Sequence, residues 1–213
     1  MNENSSKKLL TYLAAGAALT AANGCKEGPS GGTISSINPA AAIINGNLQP
    51  GVNTEVLCLI DFDGDNQIDV AVRAYNYVDY LSSVFPDSYS YVEVYGINGS
   101  AILSKMGPVN IGGYRYDYPL TRRLDMGFNI SEGSSRWIEY SYSSIVYNYY
   151  GKETSGGKFL GKEGFVGVKF ISGGNTHYGW FKLTVAEDGR SAVVSEAAFE
   201  LVPGVPIKAG SLE

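Results

Sequence analysis

Gly164-Phe165-Val166-Gly167-Val168-Lys169-Phe170-Ile171-Ser172-Gly173-Gly174-Asn175 is the stretch on which the fold turns. Val166, Val168 and Phe170 alternate with Gly167, Lys169 and Ile171, the two-residue period of a strand with one buried face. Ser172-Gly173-Gly174-Asn175 then supplies turn chemistry. Beyond it Phe181, Leu183 and Val185 alternate with Trp180, Lys182 and Thr184, and Asp188-Gly189 turns the chain again into Ser191 to Leu201. Three such strands predict a meander. Ser195 to Leu201 has helix propensity, but a segment this short enclosed by strands makes a marginal helix.

The same reading extends upstream. Tyr91-Val92-Glu93-Val94-Tyr95-Gly96-Ile97 is followed by Asn98-Gly99 and Ser100-Ala101-Ile102-Leu103. Asn-Gly supplies the two positive φ angles of a type I′ turn, so this segment predicts a β-hairpin. Arg136 to Tyr150 is a tyrosine-rich run in which Ile138, Tyr140 and Tyr142 share one strand face. Composition agrees, with 16 Tyr and 27 Gly among 213 residues, 44% hydrophobic and only 17% charged. That balance is too apolar for a disordered chain and favours strands and tight turns. With about ten strands and no long helical period, the expected fold is all-β, an antiparallel β-sandwich with few short helices. A propeller would need repeated blades, and the sequence shows no such repeat.

Lys+Arg 16 against Asp+Glu 21 gives a net charge of −5, which excludes nucleic-acid binding through net charge. Lys7 and Lys8 precede an uncharged run from Leu9 to Ala22 that has the length of a secretory h-region and is too short to span a bilayer. The run ends Ala22-Asn23-Gly24-Cys25, which suits signal peptidase and also resembles the end of a bacterial lipobox, with Ala22 where Leu is usual. Residues 1–24 therefore read as a signal peptide, 25–32 as a flexible tether and 33–213 as a single β-sandwich domain. Cys25 is either a lipid anchor or part of a freely secreted chain. The expected location is extracellular or at the outer-membrane or cell surface. An exported chain with two cysteines invites a Cys25–Cys58 disulfide; the competing reading makes Cys58, inside Val56-Leu57-Cys58-Leu59-Ile60, a small buried hydrophobe. The absence of a CxxC motif or Cys/His cluster excludes zinc, haem and iron–sulfur centres.

One motif carries chemistry. Asp61-Phe62-Asp63-Gly64-Asp65-Asn66-Gln67-Ile68-Asp69 places carboxylates at relative positions 1, 3, 5 and 9. A tight loop presenting Asp61, Asp63, Asp65 and Asp69, with the backbone carbonyl of Gln67, offers the oxygens that Ca²⁺ requires. Asn66 tolerates the left-handed conformation of a sharp bend, and Ile68 is expected to anchor the loop in the core. Val72 stands where an EF-hand has its bidentate Glu, and the flanks are strand-like, so the loop is not an EF-hand. It resembles the Asp-rich calcium loops that join strands in integrin-type propeller repeats, here in one copy. The alternative is an acidic solvated turn without metal, since Asp-Gly and Asp-Asn form turns unaided.

Ser36-Ile37-Asn38-Pro39, the Asp61 to Asp69 loop, Gly164 to Phe170, His177-Tyr178-Gly179-Trp180-Phe181-Lys182-Leu183 and Pro203-Gly204-Val205-Pro206-Ile207-Lys208-Ala209-Gly210 together resemble a family of uncharacterised exported bacterial all-β proteins. The resemblance covers most of the chain after Cys25 and is strongest from Gly164 to Gly210. It implies export and an all-β fold, and no particular reaction. Glu196-Ala197-Ala198-Phe199-Glu200 departs from the Asp-Tyr-Ala-Tyr-Glu common in that family.

Enzyme signatures are weak. His177 is the single histidine, no Gly-x-Ser-x-Gly elbow accompanies it, and Tyr178-Gly179-Trp180 beside it points to packing. Glu196 and Glu200 share strand parity, and Glu139 and Asp125 are further carboxylates for glycoside hydrolysis, without a recognised spacing. No phosphate-binding glycine loop follows a strand and opens a helix. Three functional readings follow. The first is a non-enzymatic surface or matrix protein with a structural calcium loop, adhesive in character, with a glycan or surface protein as partner. The second is a carbohydrate-binding module using exposed Tyr residues with Trp137 and Trp180. The third is a glycan hydrolase.

Overall fold

The computed structural model describes residues 34–37, 54–79, 87–111, 113–134, 136–149 and 152–212. The expected signal peptide (1–24), the tether (25–32), Cys25 and the Asn38-Pro39 pair lie outside them. Every regular element described is a strand: β1 (Ile34–Ile37), β2 (Thr54–Ile60), β3 (Val70–Asp79), β4 (Asp87–Gly96), β5 (Ala101–Ile111), β6 (Tyr114–Thr121), β7 (Asn129–Ile130), β8 (Arg136–Ile138), β9 (Tyr140–Tyr149), β10 (Lys152–Gly157), β11 (Lys162–Ser172), β12 (Asn175–Val185), β13 (Ala192–Glu200) and β14 (Ile207–Lys208). The fold is all-β. Among the described residues no helix is long and apolar enough to cross a membrane.

The expected meander is present. β11 pairs with β12 from Lys162↔Val185 to Ser172↔Asn175, and β12 pairs with β13. Gly173 and Gly174 close the first turn at φ 55° and 80°. Ser195 to Leu201 forms no helix: its residues through Glu200 belong to β13, because Gly179 to Val185 and Ile34 to Ile37 take up its two edges.

In place of two packed sheets, twelve strands form one sheet in the order β1-β13-β12-β11-β5-β6-β9-β4-β3-β2, with β10 beside β9 and β8 beside β5. Nor is it wholly antiparallel, since β6 meets β9 in parallel at Leu120↔Tyr142. The sheet curls until its flanks share one core. Phe62, just after β2, stacks on Phe170 of β11 at 5.1 Å and meets Phe199 of β13 edge-on at 6.5 Å. Cys58, Ile60, Val70, Val72, Val92 and Val94 from one flank join Val166, Val168, Phe181 and Leu183 from the other. A β-barrel-like curl is the result, and long apolar alternation on both flanks is its cause.

Two expectations about pairing are corrected. Asn98 and Gly99 do adopt positive φ, 52° and 87°, and Ser100 N–H donates to Ile97 O. Yet β4 and β5 do not form a hairpin: β4 lies between β3 and β9, and β5 lies between β11 and β6. The Arg136 to Tyr150 run likewise breaks at Glu139. Ile138 pairs with Ile102 of β5, whereas Tyr140 pairs with Tyr95 of β4. Both chains therefore turn at one corner, where Gly96 N–H donates to Glu139 O. A Cβ on Gly96 would lie 2.0 Å from Ser100 O, so only glycine fits this crossing.

The meander is covered on its second face too. Leu103, Leu124, Ile130, Phe165, Tyr178, Trp180, Ile207 and Ala209 form a separate cluster beneath the β7–β14 pair. Trp180 is fully buried there, edge-on to Phe165, its Nε1–H donating to Ser211 O at 3.2 Å.

Candidate functional site

The acidic loop joins β2 to β3, and its own carboxylates fold it. Asp61 Oδ1 accepts from Gly64 N–H at 2.8 Å and Oδ2 from Asn66 N–H at 2.9 Å. Asp63 Oδ1 accepts from Asp65 N–H at 3.1 Å. Asp65 accepts from Gln67 twice, from N–H at 2.7 Å and from Nε2 at 3.0 Å. The Asp63–Asp65 and Asp65–Gln67 backbone bonds, two residues apart, are Asx turns, which Asp forms readily. Gly64 and Asn66 take positive φ, 75° and 68°, and bring alternate side chains to one side.

As a result Asp61, Asp63 and Asp65 each present an oxygen within 4.8 Å of the others. The donors are oxygen only, the chemistry suited to a hard divalent cation. Asp69 is placed differently. It is buried, and its Oδ2 accepts from Phe62 N–H at 2.8 Å, which ties the loop's end to its beginning. Burial pushes its carboxyl up to about 7, against the opposing effect of that N–H, and the charges of Asp63, Asp61 and Asp65 add to the rise. Burial also raises Asp61, partly offset by the N–H groups of Gly64 and Asn66.

Phe62 is the residue that sequence reading overlooked. The expected anchor, Ile68, is only half-buried, whereas Phe62 is 1% exposed inside the curled sheet. Its sequence signal was present: one large apolar residue between two aspartates has nowhere to go except inward. The loop is fixed on the other side by Asn98, whose Nδ2 donates to Ile68 O at 3.2 Å, and by Ile97 N–H on Asp69 O at 2.7 Å.

The tyrosines assemble on the sheet face opposite the main core. Arg73, Tyr75 and Tyr77 of β3 stand beside Tyr89, Tyr91, Glu93 and Tyr95 of β4, with Tyr140 and Tyr142 of β9 next in line. Glu93 is 3% exposed and holds the centre. It accepts from Arg73 Nε at 2.9 Å and from the Tyr95 hydroxyl, while Arg73 Nη2 donates to Tyr91 Oη at 3.0 Å. Burial, then the Glu93 charge, holds the phenols of Tyr91, Tyr95 and Tyr142 above the usual tyrosine range. The rings pack on one another, as Tyr77 does on Tyr89 at 4.9 Å and Tyr75 on Tyr91 at 5.0 Å. Ring faces are thus occupied by neighbouring rings.

Trp180 is not part of any exposed platform, being sealed under β14, and Trp137 stands elsewhere, beside Tyr178 and Lys169. Cys58 is buried in the main core. His177 is buried between Phe170 and Phe199, its Nδ1 bonded to the Glu200 carbonyl at 2.8 Å. Glu196 reaches Lys182 at 3.8 Å on the surface, whereas Glu200 is buried and accepts from Val202 N–H, so the two serve separate partners. Asp125 and Glu139 are both exposed.

Compared with protein-family models, with curated proteins and with solved structures, the chain matches none.

Proposed function

We propose that this is an exported, non-enzymatic surface or extracellular β-protein whose Asp61–Asp69 loop takes up a structural Ca²⁺. The observation that carries the reading is the convergence of Asp61, Asp63 and Asp65 in a loop built by their own hydrogen bonds. Gln67 adds its backbone carbonyl, and Asp69 either joins the ligands or holds the loop from behind through Phe62 N–H. An extracellular module of this kind binds calcium at about 10⁻⁴–10⁻³ M, which makes the ion a structural part and not a signal. Titration calorimetry of the chelator-stripped protein tests this directly. A heat of calcium binding with one site supports it; no heat and no thermal shift at millimolar calcium leaves an acidic turn without metal.

A second reading, a carbohydrate-binding module, draws on Tyr114 and Tyr116, exposed by 71% and 48% at the end of the β5–β6 hairpin. Aromatic faces open to solvent suit sugar rings. A glycan array with wild type and Tyr114→Ala/Tyr116→Ala separates the readings, because calcium binding is indifferent to that substitution.

A further inference from the structure

We propose that the tyrosine network is a relay for one-electron oxidation, running from the Glu93-bonded phenol of Tyr95 to the exposed ring of Tyr116, where two copies of the chain become covalently joined. The rings form an unbroken path. Tyr95 lies 6.3 Å from Tyr140, Tyr140 6.2 Å from Tyr142, Tyr142 5.4 Å from Tyr118, and Tyr118 6.4 Å from Tyr116, centroid to centroid. Electron transfer between aromatic rings falls off exponentially with separation, and neighbours this close exchange an electron far faster than a phenoxyl radical decays.

The entrance and the exit differ chemically. A phenol that loses an electron becomes a strong acid, so oxidation is easiest where a base already holds its hydrogen. The Tyr95 hydroxyl donates to Glu93 Oε2, and Tyr142 stands opposite Glu93 on the neighbouring strand. At the far end Tyr116 is 48% exposed, and water takes its proton. The reaction needs an external one-electron oxidant of the high-valent metal or peroxidase class. That oxidant removes one electron from Tyr95, whose proton passes to Glu93. Electrons then move stepwise from Tyr116 toward Tyr95 and Glu93 returns the proton; this transfer is uphill, and it is drawn forward by loss of the Tyr116 proton to solvent and by the irreversible coupling that follows. Two Tyr116 radicals couple through ortho carbons, and each ring regains aromaticity by tautomerisation. The sum is two tyrosines to one dityrosine, two electrons to the oxidant and two protons to water. None of this depends on calcium.

Tyr114 supplies the internal control. It is more exposed, at 71%, and is not among the ring pairs that make up the path. The test exposes the full chain to photogenerated ruthenium(III) tris-bipyridyl with persulfate and maps dityrosine by peptide mass spectrometry, with circular dichroism confirming each variant's fold. The expected result is coupling at Tyr116 in preference to Tyr114, and a severalfold loss of Tyr116 coupling in Tyr118→Phe, which keeps the ring but not the oxidisable hydroxyl. Glu93→Gln lowers the radical yield measured by paramagnetic resonance. Coupling chiefly at Tyr114, or Tyr116 coupling unchanged by Tyr118→Phe, shows direct surface oxidation and overturns the proposal.

Discussion

Asn98 Nδ2 donates to the carbonyl oxygen of Ile68 at 3.2 Å, across 30 residues of chain, so the turn after β4 is fastened to the acidic loop after β2. Ile97 N–H on Asp69 O adds a second tie at 2.7 Å. The two turns form one end of the curled sheet and should respond together to substitution.

Gly99 holds φ 87° with Asn98 at 52° before it. A β-branched side chain in this region costs about 1–2 kcal/mol or more. Gly99→Val is therefore expected to lower the unfolding free energy by that amount, read as a lower urea midpoint with an unchanged slope. An unaltered midpoint would mean that the turn tolerates another conformation.

Removing one proposed ligand tests the loop without disturbing the core. Asp63 is only partly buried and Asp65 is exposed, so Asp63→Asn and Asp65→Asn should keep the far-ultraviolet spectrum of the wild type. With Ca²⁺ bound as proposed, at calcium tenfold above the dissociation constant the wild type is expected to gain RT ln 11, roughly 1.4 kcal/mol, a few degrees in melting temperature. Each variant should lose most of that gain. Magnesium, which demands a small octahedral shell, should reproduce little of it.

Asp69 sets a pH dependence in the metal-free protein. Its carboxyl is raised from 3.8 to about 7 in the folded chain, chiefly by burial. The folded state thus holds the proton more tightly than the unfolded one. Its contribution to stability is complete below pH 3.8 and is lost as pH rises through about 7, at a slope of at most about 1.4 kcal/mol per pH unit. Asp69→Asn keeps an oxygen for Phe62 N–H and carries no charge, so this slope should flatten in denaturant titrations run with chelator. A slope equal to wild type would assign the pH dependence to other groups.

Phe62 joins loop to core through Phe170 and Phe199. Phe62→Ala is expected to cost about 3–5 kcal/mol, the range for truncating a fully buried aromatic residue. It should also weaken the proposed calcium binding, because the buried ring fixes the backbone whose N–H holds Asp69. A variant destabilised by less than 1 kcal/mol, on the order of a surface change, would contradict the packing described.

What the sequence made legible was local, and what it concealed was competition. Gly173-Gly174 and Asp188-Gly189 dictated their turns, and alternation in Val166 to Phe170 dictated the strand, so the meander could be read directly. Asn98-Gly99 dictated a turn just as firmly. Its flanking strands still separated, because Tyr140 and Ile138 from a distant run claimed Tyr95 and Ile102, and no local pattern records that rivalry. The i, i+2 spacing foretold the convergence of Asp61, Asp63 and Asp65. The inward turn of Asp69 depends on a single backbone N–H, that of Phe62, and the burial of Trp180 depends on a second layer supplied by β14. Tyrosine abundance was plain from composition, but the ladder around Glu93 required the register of three strands.

The strand order also governs when the sheet can be completed. Ile34 lies opposite Glu200, and Ala101 and Ile102 lie opposite Lys169 and Val168. A chain emerging N-terminus first can close β2, β3 and β4 early, since these are neighbours in sequence and in space. β1 and one edge of β5 must wait for residues synthesised far later, and the entropy of closing those long loops is spent before their contacts form. Until β11 and β13 arrive, the first half of the molecule is a β-structure with open, apolar edges, the form most prone to pairing with the wrong partner. A truncation ahead of β11 consequently does more than shorten the sheet: it strands the earliest segment without the only described neighbour it has.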